Sequence, residues 1–148
     1  NLDSRTGANI MDLMFDLNRA SKTTLVLVTH DLALASDLCD HIAVVYAGQI
    51  RELGTAEDVL GAAADPYTQR LLASIPSLHD AVSPEFLPGA PPDMREDIPG
   101  CRFAARCPLA FEPCADEPPP YREVTPDRWA RCWRHDERYR ARFEENGS

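Results

Sequence analysis

TTLVLVTHDLALASDLCDHIAVVYAGQIRELGTAEDVL, residues 23–60, decides the fold. Thr23–Thr29 is an unbroken β-branched and aliphatic run, the pattern of a parallel strand buried on both faces. HDLALASDLCD reads as a helix with Leu32, Ala35 and Leu38 turned inward. HIAVVYAGQIRELG reads as two short strands joined at Ala47-Gly48-Gln49, with Gly48 supplying the positive φ of a tight turn. After Gly54, TAED fits a capping box: the Thr55 hydroxyl and the Asp58 carboxylate can satisfy free N–H groups at a helix start. Strand, helix, hairpin and helix in this order predict an α/β fold.

Upstream, RTGANIMDLMFDLNRAS (5–21) places Ile10, Leu13, Met14 and Leu17 at the i, i+3, i+4, i+7 spacing of an amphipathic helix. Downstream, PYTQRLLASI opens a helix with Pro66 in its first turn. Then the character changes. Twelve of the 13 prolines lie between Pro76 and Pro126, and six fall within residues 76–99, which rules out helix or central strand there. Three stretches are expected: residues 1–75 regular, 76–99 a Pro-rich linker, and 100–148 an irregular Cys-rich extension closing in a short helix. The start at Asn1, without Met or signal peptide, is expected of a fragment or processed piece.

Of 148 residues, 44% are hydrophobic and 26% charged, so most of the chain should pack into a globular core. No apolar run reaches the 18 residues of a membrane span. The net charge of −9 argues against a nucleic-acid binder. Residues 1–99 carry 6 basic and 15 acidic side chains, whereas 100–148 carry 9 arginines and 9 acids. The bland account of those arginines, a solvated and salt-bridged surface, is preferred to an RNA patch.

A buried strand running straight into THD is a site signal, because ligands in α/β sheets bind at the carboxyl ends of parallel strands. His30 sits at that end, where it can contact a phosphate or instead cap the next helix. The second constellation is Cys101-x5-Cys107-x6-Cys114-x17-Cys132. Disulfides, a zinc site and an iron–sulfur cluster all remain open on spacing, with His135 able to replace one cysteine at zinc. The spacing lacks the tight C-x2–4-C knuckles usual for structural zinc. A proline beside a ligand, as at Cys107-Pro108, suits an iron–sulfur loop. Arg102, Arg106, Arg131 and Arg134 are placed to offset a cluster's charge. Phe103, Phe111, Tyr121, Trp129 and Trp133 are expected to pack around it. Cys39 lies outside the set and reads as a small core residue.

Residues 23–60 resemble the last part of the nucleotide-binding domain of ABC transporter ATPases. The resemblance implies that His30 is the switch histidine that contacts the γ-phosphate of ATP, a catalytic and cofactor-binding role. NLD at Asn1–Asp3 is similar to the D-loop, which implies that Asp3 reaches across the dimer interface; NLDSRTG is nearer to the D-loop of the lipoprotein- and macrolide-export subclass. DPYTQRLLASIPS and GCRFAARCPLAFEPCA (100–115) are similar to the oligopeptide/dipeptide importer subfamily and its Cys-bearing extension. That likeness implies a 4Fe–4S cluster on Cys101, Cys107, Cys114 and Cys132, with zinc as the alternative. The expected fold is therefore α/β, the C-terminal part of a P-loop ABC ATPase domain with an incomplete parallel sheet, followed by the extension.

The implied function is to help power peptide import by ATP hydrolysis with Mg²⁺. The implied partners are a second ATP-binding subunit, membrane permeases and, indirectly, a substrate-binding protein. The implied place is the cytoplasmic face of the membrane. No G-x-x-x-x-G-K-[ST] phosphate loop occurs in the 148 residues, so this stretch alone is expected not to hydrolyse ATP. The competing reading is a metal-binding interaction or redox module on an incomplete α/β scaffold.

Overall fold

The computed structural model describes residues 4–75 and 87–144, and side chains within 13–75 and 87–143. Asp3, and the linker as far as residue 86, lie outside the described residues. The chain divides into two compact units, Asn1–Leu32 and Ala33–Ser148.

In the first unit the expected helix is present as α1, Ser4–Ser21. Lys22 takes a positive φ of 53° and ends it. Residues 23–29 carry no regular secondary structure and form no strand. Val26 and Val28 are 83% and 94% exposed, and Leu13, Met14 and Leu17 of α1 are exposed too. The expected parallel strand is thus corrected. Its composition is that of a buried strand, but among the described residues nothing pairs with it, and backbone hydrogen bonds to a neighbour are what make a strand.

The second unit holds α2 (Leu32–Leu38) except for its first residue, then β1 (His41–Tyr46), β2 (Gln49–Thr55), α3 (Ala56–Gly61), α4 (Pro66–Ala73), α5 (Pro113–Asp116), β3 (Tyr121–Thr125), β4 (Arg128–Arg131) and α6 (Arg140–Glu144). Single 3₁₀ turns lie at Ala104–Arg106 and Trp133–His135. The β1–β2 turn puts Ala47 at φ 47° and Gly48 at φ 74°, the two positive values of the turn whose twist suits a hairpin. Thr55 caps α3, its hydroxyl accepting from the Asp58 N–H at 3.1 Å. The box closes differently from expectation: the Asp58 carboxylate accepts from the Thr55 hydroxyl at 2.8 Å. Asp65 caps α4 by accepting from the Tyr67 N–H, and Pro66 fills the first turn.

The sheet is antiparallel throughout, in the order β1-β2-β4-β3. β4 pairs with β2 at Glu52↔Ala130 and Leu53↔Trp129, and β3 folds back on β4. Residues 100–132, expected to carry neither helix nor strand, thus supply two strands, a short helix and a 3₁₀ turn. Sequence-local pattern hid this because each strand is only four or five residues long and the hairpin they form joins the sheet through β4, whose partner β2 lies about 75 residues away. The described part of the linker, 87–99, contains neither helix nor strand. A small apolar core of Ala35, Ile42, Val44 and Val59 lies between β1 and the helices, with Cys39 packed against it as expected.

Candidate functional site

The β1–β2 register slips at Val44/Val45: Val44 faces Glu52 and Val45 faces Ile50. Arg51 is the extra residue of a bulge. A regular strand sends neighbouring side chains to opposite faces, and a bulge re-aims one of them. Here consecutive Arg51 and Glu52 are both buried, at 1% and 0% exposure. Such charges need partners. Arg51 Nη2 donates to Asp65 Oδ2 at 2.8 Å, and Arg128 Nη2 donates to Glu52 Oε1 at 2.8 Å. The Glu52 carboxylate also accepts the backbone N–H groups of Ala64 (2.7 Å) and Asp65 (2.9 Å). Arg128 donates further to the Ala62 carbonyl. One strand thereby holds the 62–65 connection on one side and β4 on the other.

Burial pushes the Asp65 carboxyl upward despite Arg51. For Arg51, desolvation works to lower the guanidinium, but Asp65 and Cys101 outweigh it and hold the charge.

Arg51 leads to the cysteines. Its Nη1 donates to Cys101 Sγ at 3.5 Å, and its Nε is buried without a hydrogen-bond partner. Cys101, Cys107, Cys114 and Cys132 all line one small cavity, together with Arg51 and Arg134 and under an apolar cover that includes Phe103, Phe111 and Trp133. Three short pieces of backbone bring them there. Cys101 N–H donates to the Cys114 carbonyl at 2.8 Å, the 3₁₀ turn closes with the Cys107 N–H on Ala104 O, and Cys132 leads out of β4. The first contact needs a glycine beside it: a Cβ on Gly100 would stand 2.3 Å from the Cys114 carbonyl oxygen.

All four are free thiols. Burial pushes Cys107 up to about 11 and Cys132 up to about 12, and raises Cys114 as well. The cavity as packed is about 10 Å³, room for a single water. Among the described residues no three His, Cys, Asp or Glu side chains are grouped as a single metal ion would require. The donor set, all sulfur, and the orphaned Arg51 Nε suit an anionic, sulfur-rich centre in their chemistry, whereas the cavity as packed has no room for one. A cubane carries its thiolates on separate irons, so it asks for wider spacing than four ligands on one zinc ion.

His135 does not line the cavity. Its Nε2 bonds to the Ala64 carbonyl at 3.0 Å, and burial lowers its pKa. Of the arginines expected at a cluster, only Arg134 lines the cavity. Arg102 donates to the Ala47 carbonyl, Arg106 to the Leu87 and Pro88 carbonyls and the Tyr46 hydroxyl, and Arg131 to the Ile50 and Pro119 carbonyls. They tether the extension to the hairpin instead. Of the five aromatics, Tyr121 and Trp129 stack on one another at 5.7 Å, on β3 and β4, and do not line the cavity. The arginine that does reach the thiols, Arg51, lies fifty residues upstream. Its only sequence sign was the adjacent Arg51-Glu52 pair inside a half-buried strand.

His30 belongs to the first unit, exposed at the bend that ends residues 23–29. Next to it the Asp31 N–H donates to the Thr29 hydroxyl at 3.0 Å. Among the described residues no helix is long and apolar enough to cross a membrane.

Residues 51–114 match the family described as "Oligopeptide/dipeptide transporter, C-terminal region". The chain is 38% identical over 93% of its length to the dipeptide transport ATP-binding protein DppD of Bacillus subtilis. It is 39% identical over 90% of its length to the oligopeptide transport ATP-binding protein OppD of Escherichia coli. A probable peptide ABC transporter ATP-binding protein of Sinorhizobium fredii is 36% identical over 92% of the chain. In each case the chain spans 40–41% of the relative's own length. The Arg51 bulge and the Cys101–Cys114 turn both fall within the matched residues 51–114, and this part of the chain belongs to the C-terminal region of the oligopeptide/dipeptide transporter family.

Proposed function

We propose that this chain is part of an ATP-binding subunit that powers peptide import, and that its cysteine extension carries a 4Fe–4S cluster. The relatives' printed roles support the first half. The observation that carries the second is the convergence of Cys101, Cys107, Cys114 and Cys132 on one cavity with a buried arginine. In this reading residues 1–75 are the ATPase part and 100–148 the extension, joined through 76–99. The subunit works at the cytoplasmic face of the membrane, with a second ATP-binding subunit, permeases and a substrate-binding protein. ATP and Mg²⁺ are bound by the completed subunit, where His30 contacts the γ-phosphate and Asp3 the dimer interface.

When bound, the cluster supplies metal–thiolate bonds, and its assembly becomes folding free energy for the extension. The chain's own residues do the rest. Phe103, Phe111 and Trp133 exclude water from the thiols. The turn at Gly100 aligns Cys101 with Cys114. Because burial raises Cys107, Cys114 and Cys132, loading the site releases protons and is favoured as pH rises.

Anaerobically purified chain is expected to be brown, with about four irons per chain. Cys→Ser at any of the four positions should release the iron and open residues 100–140 to protease; Cys39→Ser should do neither. Colourless chain with one stoichiometric zinc would replace the cluster by zinc and favour the interaction-module reading. In a completed subunit, His30→Ala should lower ATP turnover by roughly 10²–10³-fold, the usual cost of losing one charge-stabilising donor, with nucleotide binding retained. Near-normal turnover removes His30 from the site.

A further inference from the structure

Two hollows meet at the cysteines. One is the closed cavity of about 10 Å³. The other is an open cleft of about 570 Å³ bordered by Ile98, Arg102 and Glu112. Cys101, Ala104, Phe111 and Cys114 line both, so they form the wall between them. The cavity has room for a single water. Nothing larger comes to lie among the four thiols unless part of the wall or cover moves.

The three aromatic covers are not equally free to move. Phe103 is 1% exposed and meets Tyr46 and Tyr67 edge-on, with ring centres at 5.4 and 5.3 Å. Trp133 is buried, and its indole N–H donates to the Glu117 carbonyl at 3.1 Å. Phe111 is only half-buried, and the residues before it, Pro108, Leu109 and Ala110, are exposed. Its ring is held edge-on by Tyr139 at 5.1 Å and Phe143 at 5.3 Å, with the Arg142 guanidinium over it at 4.9 Å. Arg142 and Phe143 belong to α6, a helix of five residues, too short to be stable without such contacts. Ring contacts to so short a helix are individually weak, and segments with few buried contacts open first.

We propose that Phe111 is a gate between the cleft and the cavity, latched by Arg142 and Phe143 of α6. When the ring turns off its latch, a small soft electrophile or metal ion in the cleft reaches Cys101, Cys107, Cys114 and Cys132. The gate lies in the chain's own packing, whichever centre the cysteines hold.

The test is labelling of the folded full chain, reduced and treated with chelator, by N-ethylmaleimide at one pH, with the rate at each cysteine read by peptide mass spectrometry. Phe143→Ala removes the latch and leaves the gate. It is expected to speed labelling at the four cavity cysteines about tenfold, the upper end of what one ring pair contributes. Phe143→Tyr keeps the ring and should hold the wild-type rate. Phe111→Ala removes the gate itself and should speed labelling further. Cys39, packed against the separate core of Ala35, Ile42, Val44 and Val59, should keep its rate throughout. If Phe111→Ala does not fold, the two Phe143 variants decide. Rates at the four cysteines that do not change in Phe143→Ala, or that rise equally at Cys39, overturn the gate. So does wild-type chain whose cavity cysteines label as fast as they do in urea. None of these results touches the cluster reading, which is decided by the iron content.

Discussion

Residues 25–28, Leu-Val-Leu-Val, and residues 121–131, Tyr-Arg-Glu-Val-Thr-Pro-Asp-Arg-Trp-Ala-Arg, invite opposite predictions. The first is apolar and β-branched. The second is charged, with three prolines just before it and one inside. Yet among the described residues the first forms no strand and leaves Val28 94% exposed, whereas the second forms a hairpin in which Ala130 is fully buried. The difference lies in the neighbours. Residues 121–131 have the edge of β2 to join, and Arg128 has Glu52 to meet. A strand is a relation between two stretches of backbone, and composition describes only one of them.

The largest effect is expected at Glu52. Glu52→Gln leaves Arg128 as a buried unpaired charge and is expected to cost about 3–5 kcal/mol in a urea melt, with hydrogen exchange rising across 121–131. If protection there survives, the pair is not what holds the hairpin. Gly100→Ala comes next. Its Cβ would overlap the Cys114 and Ala115 carbonyl oxygens at 2.3 and 2.4 Å, an overpacking expected to cost about 1–3 kcal/mol and to part Cys101 from Cys114.

His135 gives a smaller effect with a definite sign. Its folded pKa is lowered by burial, so below about pH 6.5 the unfolded chain takes up a proton that the folded chain resists, and stability falls as pH falls. His135→Gln, which can still donate to Ala64 O, should flatten that slope. A slope that persists unchanged assigns it to other groups. The smallest effect belongs to the first region: Val26→Thr with Val28→Thr is expected to change the stability of this chain by less than about 0.5 kcal/mol. A large loss would mean that residues 23–29 are packed after all.

Elements with local causes were legible. The helix over Ile10–Leu17, the hairpin around Gly48, the Thr55 cap and Pro66 at a helix start each depend on residues within one turn of each other. So was the likeness of the four cysteines to one set. What escaped depended on distance along the chain. The β2–β4 joint links Glu52 to Ala130, the Arg51 bulge shows only as a register slip, and Arg102, Arg106 and Arg131 were read as neighbours of the cysteines next to them when their acceptors are carbonyls elsewhere. Sequence spacing says what stands side by side, and the long arginine side chain answers to what stands across.

The β2–β4 joint also bears on synthesis. Thr55 is made about 75 residues before Arg131, and at 5–20 residues per second the edge of β2 waits roughly 4–15 s for its partner. An open edge is a template for wrong pairing. During that wait Glu52 lacks Arg128, and a charged side chain on an open edge discourages wrong pairing. A side chain that is costly to bury thus guards the strand until its partner arrives.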